Sequence, residues 1–204
     1  MQEFQEIVEN ARRIFDERTK VRDETLVKAR QLTRLAALTI RAIHRGEGVQ
    51  AQEMLHEAHL LVLNMQRDLA TYPDLYHAGY TQDAIKEFCE ANLTFALIEN
   101  ERLPRPEELG VEYPTYVNGL AETIGELRRR CLDILRQGYS EEAERLLSTM
   151  DEIYNFLVTM DYPDAITNGL RRQTDLVRGI IERTRADLTL SLREQHLQEA
   201  LQKF

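Results

Sequence analysis

The stretch Ala84-Ile85-Lys86-Glu87-Phe88-Cys89-Glu90-Ala91-Asn92-Leu93-Thr94-Phe95-Ala96-Leu97-Ile98 decides how the chain folds. It reads as a helix, apolar on nearly every side, with two carboxylates, Glu87 and Glu90, set inside it at spacing i, i+3. At about 100° per residue that spacing puts both on one face, one turn apart. The same face continues through Ala91, Thr94, Leu97 and Ile98, where a solvated face would continue with charges. Burying an unpaired charge is costly, so the two carboxylates need cations, donors or a metal as partners.

Helical patterns extend on both sides of this stretch. Residues 2–45 read as one long helix ended by Gly46-Glu47-Gly48, with Leu26, Leu32, Leu35, Ala36, Ile40 and Ile43 on its core side. A second helix spans about 49–70. Its Glu53-x-x-His56 spacing invites a di-iron reading, but no second such pair exists and His56 lies off the apolar stripe, so these are surface residues. Thr81 is a candidate N-cap for the central helix, which runs to about Glu101 and ends at Leu103-Pro104-Arg105-Pro106. A fourth helix spans about 115–137, with Glu122 and Glu126 opposite its apolar stripe in company with Asn118, Arg129 and Asp133. Ser140-Glu141-Glu142 opens a fifth, and the last runs from about Asp164 towards the chain end. No strand-like alternation, phosphate-binding glycine loop or strong Ser/His/Asp or Cys/His nucleophile signature occurs. The pattern predicts an all-α bundle of six or seven helices in a single domain over residues 1–204.

Composition narrows the class. The 204 residues are 43% hydrophobic and 30% charged, enough for one sizeable core. The longest aliphatic run is Leu60-Leu61-Val62-Leu63, too short to span a membrane, and the acidic start Met1-Gln2-Glu3-Phe4 does not read as a signal peptide. A cytoplasmic location follows, with Cys89 and Cys131 as core thiols. The net charge of −9 argues against nucleic acid, but its distribution argues the other way. Residues 20–45 hold seven Lys or Arg against Asp23 and Glu24. Arg30, Arg34, Arg41 and Arg45 fall within about 60° on a helical wheel. They make either a snorkelling solvated face or a stripe for contacting phosphates. Glu122 and Glu126 likewise read, from periodicity alone, as a solvated face with intrahelical Glu–Arg pairs.

Tyr116-Val117-Asn118-Gly119-Leu120-Ala121-Glu122-Thr123-Ile124-Gly125-Glu126-Leu127-Arg128-Arg129 resembles the Tyr-x-x-Gly-x-x-Asp-x-x-Gly-Glu-Leu-x-Arg segment of the translin family, in particular its catalytic branch, translin-associated factor X. Lys86-Glu87-Phe88-Cys89-Glu90-Ala91 is similar to that branch's Gln-Glu-x-x-Glu-Ala motif. The segment Leu170 to Glu182 resembles the family's final helix, so the likeness covers nearly the whole chain. The resemblance implies a translin-type helical subunit assembling into a hollow, octamer-like oligomer with a metal-dependent endoribonuclease site facing inward. Glu87 and Glu90 match the paired catalytic glutamates. Glu122 stands where the family's aspartate usually stands, and its extra methylene moves the carboxylate outward. Glu126 matches the neighbouring glutamate, which makes Glu87, Glu90, Glu122 and Glu126 the implied metal set. The stripe of Arg30, Arg34, Arg41 and Arg45 lies in the region where the family carries nucleic-acid-binding basic residues.

Carboxylates without histidine or thiolate suit a hard cation, Mg²⁺ or Mn²⁺. RNA is the implied partner, with single-stranded DNA as a second ligand class. Two further readings stay open. One is a non-catalytic translin-like oligomer that binds single-stranded RNA or DNA. The other is a plain helical scaffold with paired surface charges.

Overall fold

Apolar residues recurring every three or four positions, with few glycines or prolines to interrupt them, make this chain helical from end to end. A computed structural model describes residues 1–203. Among the described residues there are six long helices and three single turns, and no strand. In order they are α1 (Gln2–His44), α2 (Gly48–Asp68), α3 (Pro73–Tyr76), α4 (Gly79–Ile98), α5 (Pro106–Leu109), α6 (Tyr113–Leu135), α7 (Glu141–Leu157), α8 (Asp164–Thr167) and α9 (Leu170–Leu201). No helix among them is long and apolar enough to cross a membrane.

The quoted stretch lies within α4, and α4 is the centre of the bundle. Its residues Phe88, Cys89, Ala91, Leu93 and Thr94 are completely enclosed. It packs against α1, α2 and α6, and α6 packs in turn against α7 and α9. One continuous core therefore runs from Leu32 and Ile43 of α1 through Phe88 of α4 to Ile124 and Leu127 of α6, and on to Leu146, Met150 and Ile181. Burying a side chain of this size contributes about 1.5–3 kcal/mol, and α4 places several such side chains in the core.

Local chemistry explains most boundaries. Gly46 takes φ +73°, a left-handed conformation that ends α1. Ser140 caps α7 by accepting a hydrogen bond from the Glu142 amide at 3.2 Å. Thr81 is not a cap: α4 begins earlier, and the buried Thr81 hydroxyl donates to the Leu75 carbonyl at 2.8 Å. The last helix is split, because Asn168 (φ +54°) and Gly169 (φ +82°) are consecutive left-handed residues that no α-helix accommodates. Cys89 and Cys131 are free and buried. Burial pushes the Cys89 thiol up to about 12 and the Cys131 thiol up to about 11, so both stay protonated.

Both chain ends carry long helices beyond the core. On α1 the first buried residue is Thr25, and on α9 the last is Leu188. Phe4, Ile7 and Phe15 on one arm and Leu190, Leu197 and Leu201 on the other are exposed. Phe156, Ile166 and Leu176 are apolar at helical core spacing, and they are exposed as well.

Candidate metal centre

The site is made where α4 crosses α6, and the crossing is close because residue 119 is glycine. A Cβ there would lie 2.8 Å from Cys89 Cβ, 3.2 Å from the Lys86 carbonyl oxygen and 3.3 Å from the Glu90 amide nitrogen. Only a residue without a side chain lets the two backbones meet at this distance. One turn beyond Gly119, Glu122 faces α4. Glu87, Glu90 and Glu122 each offer a carboxylate oxygen, and the three oxygens lie within 4.8 Å of one another. They open on a cleft of about 370 Å³, also lined by Glu126 and by Gln173, Leu176 and Ile180 of α9.

Three carboxylates this close repel one another, and partial burial sharpens the effect. Burial, then the charges of Glu87, Glu122 and Glu126, push the Glu90 carboxyl up to about 8. Burial and then the Glu122 charge also raise Glu87. One cation offsets this cluster. Lys86 Nζ donates to Glu122 Oε1 at 2.8 Å, and Gln173 Nε2 donates to the same oxygen at 3.0 Å. Burial works against the Lys86 charge, but the Glu122 hydrogen bond and the charges of Glu122, Asp83 and Glu87 outweigh it and leave its pKa raised.

Glu126 departs from its expected place in the ligand set. Its Oε2 lies 2.5 Å from His44 Nε2 and 3.5 Å from Arg129 Nη1. The His44 hydrogen bond first, with the charges of His44 and Arg129 behind it, holds the Glu126 carboxyl below its usual range against the burial that opposes it. It borders the cleft as a partnered carboxylate, outside the group of three. Asn118 also leaves the expected polar face: it is buried, and its Nδ2 donates to the carbonyls of Pro114 and Thr167, both at 2.8 Å.

The donor set suits a hard divalent cation. Three carboxylates with no nitrogen or sulfur donor among them converge, and neither Glu87 nor Glu90 has a hydrogen-bonding partner among the described residues. A polar hollow of about 230 Å³ opens on the far side of Lys86 and Gln173, towards Gln82 and Asn168.

Arg30, Arg34, Arg41 and Arg45 are all exposed, as either reading of the stripe requires. Arg45 pairs with Glu47 at 2.6 Å, while Arg30, Arg34 and Arg41 have no ion pair among the described residues. Arg41 and His44 are i, i+3 neighbours on α1, and His44 is the α1 residue that reaches Glu126 at the rim of the acidic cleft. Glu53 and His56 are exposed surface residues, as expected.

Lys86, Gln173 and His44 were not among the candidate residues. Lys86 carries a local signal, since it stands at i, i+4 to Glu90 on the same helix face. Gln173 and His44 carry none, being 51 and 82 positions from their partners.

The fold and the site define an all-helical protein of the translin type, with an acidic group able to hold a cation at its central helix crossing. No family profile matches the chain. It is 33% identical over 185 residues to an uncharacterised protein of Methanocaldococcus jannaschii, covering 90% of this chain and 82% of that one. It superposes on C3PO of Archaeoglobus fulgidus, solved as a complex with duplex RNA, at a TM-score of 0.84 with 32% identity, covering 92% of this chain and 97% of that one. C3PO of Neurospora, solved in its apo form, superposes at 0.82 with 22% identity, over 90% of this chain and 96% of that one, and shows the shared fold. The chain belongs to the translin family, with C3PO as a member of known structure.

Proposed function

We propose that this chain is a metal-dependent endoribonuclease of the translin-associated factor X type, a single domain over residues 1–204 that works inside a hollow oligomer. The observation that carries the reading is the convergence of Glu87, Glu90 and Glu122 from two helices pinned together at Gly119. The duplex RNA in the complex of a relative 32% identical to this chain supports RNA as the ligand. The exposed apolar residues on both protruding arms support self-association, with an octamer as the expected form and RNA or single-stranded DNA held within. Two free, buried cysteines suit a cytoplasmic protein.

Glu87, Glu90 and Glu122 would hold Mg²⁺ or Mn²⁺. When bound, such a cation supplies charge stabilisation at a phosphodiester and an acidified water. The chain's own groups do the rest. Arg30, Arg34 and Arg41 hold the backbone through phosphates, which brings little base specificity. Glu90, its carboxyl pushed up to about 8 while the cleft holds no cation, would give up its proton as a cation binds. Glu126, fixed by His44, adds a permanent negative charge beside it.

A second reading has a specific observation behind it. Lys86 and Gln173 satisfy one oxygen of Glu122 without any metal, as they would in a non-catalytic shell that only binds nucleic acid. An end-labelled RNA separates the two. The nuclease reading expects internal cleavage that needs Mg²⁺ or Mn²⁺ and falls on the order of a hundred-fold or more in E87Q, E90Q and E122Q, as for loss of a principal electrostatic group. RNA retained without cleavage by the wild type would leave the binding shell.

A further inference from the structure

We infer that Lys86 is a positioning residue: together with Gln173 it holds the carboxylate of Glu122 in place beside Glu87 and Glu90. The inference rests on the metal reading of that cleft.

The geometry carries it. Lys86 from α4 and Gln173 from α9 reach one oxygen of Glu122 from two different helices, at 2.8 and 3.0 Å. The pair is shielded, with the side chains of Lys86 and Glu122 only 21% and 23% exposed, so it is not a loose surface contact of little worth. Glu122 needs such a hold. Its side chain has a flexible stem, and the negative charge of acidic neighbours such as Glu126 pushes it towards solvent. Asp83, the other acid near Lys86, lies at 3.9 Å and is largely exposed, which makes it the weaker claimant.

The two residues are also linked as departures. Lys86 stands where the family's motif has Gln, and Glu122 stands where it has Asp. These two positions, 36 apart in sequence, touch in the structure. A long carboxylate is thus met by a long, charged donor, and the three carboxylate oxygens converge within 4.8 Å of one another.

A counter-ion and a positioning residue predict opposite results. A lysine that merely neutralised Glu122 would compete with a divalent cation, so removing it would tighten binding. A lysine that holds the ligand in place would, when removed, weaken binding. The test is Mn²⁺ binding by titration calorimetry on the full chain, with no RNA and no cleavage involved. K86M, which keeps the stem and removes the ammonium, should weaken Mn²⁺ about tenfold, the lower range for losing a partner that orients a ligand. In an E122Q background the same change should cost nothing further, because no carboxylate is left to hold. Q173L should weaken Mn²⁺ in the same direction and serves if K86M fails to fold. K86Q/E122D, which restores both motif residues, should bind Mn²⁺ like the wild type. Tighter or unchanged binding in a folded K86M, an equal loss in E122Q, or K86Q/E122D binding no better than K86Q overturns the inference while leaving the metal site standing. A wild type that binds no Mn²⁺ overturns the metal reading, and the inference with it.

Discussion

His44 Nε2 lies 2.5 Å from Glu126 Oε2 across 82 positions of sequence, tying the C-terminal end of α1 to the acidic face of α6. The His44 side chain is only 4% exposed, and its Nδ1 has no hydrogen-bond partner among the described residues. Glu126 is therefore the contact that settles the ring, and His44 the contact that settles the carboxylate. Replacing His44 with Ala should cost about 1–3 kcal/mol, the range for leaving a buried polar group unsatisfied. Urea unfolding of H44A, E126Q and the double variant checks this. The double variant should be little worse than the worse single one, and additive losses would show that the two do not act as a pair.

Gly119 tests the helix crossing. G119A places a methyl 2.8 Å from Cys89 Cβ and close to the α4 backbone, so α6 must move outward. Overpacking of this kind typically costs about 1–3 kcal/mol. Because Glu122 rides on α6, Mn²⁺ affinity should fall more than stability alone explains. Retained helicity by circular dichroism with an unchanged Mn²⁺ affinity would refute the role given to the crossing.

The raised Glu90 carboxyl makes a pH prediction for the cation-free protein. Its folded value, about 8, lies above the ordinary 4.5, so the folded state holds this proton more tightly than the unfolded state. The stability it contributes is full below about 4.5 and is lost as pH rises towards about 8. In EDTA the Tm difference between wild type and E90Q should therefore shift against the wild type across that window. Saturating Mn²⁺ should remove the shift, since a cation stabilises the ionised carboxylate. A flat difference would mean that Glu90 is not held protonated.

The arginine stripe separates its two readings by binding alone. Changing Arg30, Arg34, Arg41 and Arg45 to Glu should weaken RNA binding for all sequences alike and flatten its dependence on salt. Filter binding across a salt series measures both. Unchanged affinity would make the stripe a solvated face.

Much of this was legible in the residues. The all-helical bundle follows from three- and four-residue apolar spacing, and Glu87 with Glu90 declares itself as a charged pair on an otherwise apolar helix. Local signals of this kind survive folding because the helix itself sets the geometry. What was not legible depends on contacts distant in sequence. Glu126 reads as a ligand or a solvated residue until His44 arrives from α1, and Asn118 reads as polar surface until the Thr167 carbonyl closes over it. The break at Asn168 and Gly169 was missed for another reason: apolar spacing continues through it and outweighed the Asn-Gly dipeptide, a local turn signal that the left-handed backbone angles bear out. Leu176 and Ile166 mislead in the opposite sense, being apolar at core spacing yet exposed in the single chain.

The central claim is that Glu87, Glu90 and Glu122 form one cation site. A Mn²⁺-soaked crystal, read through the anomalous signal of the metal, tests it most directly. The account predicts a peak in the cleft between α4 and α6 within coordinating distance of all three carboxylates, about 2.0–2.6 Å for oxygen ligands of hard cations. A well-ordered cleft with no peak, or a peak that one or more of the three carboxylates turns away from, would contradict it.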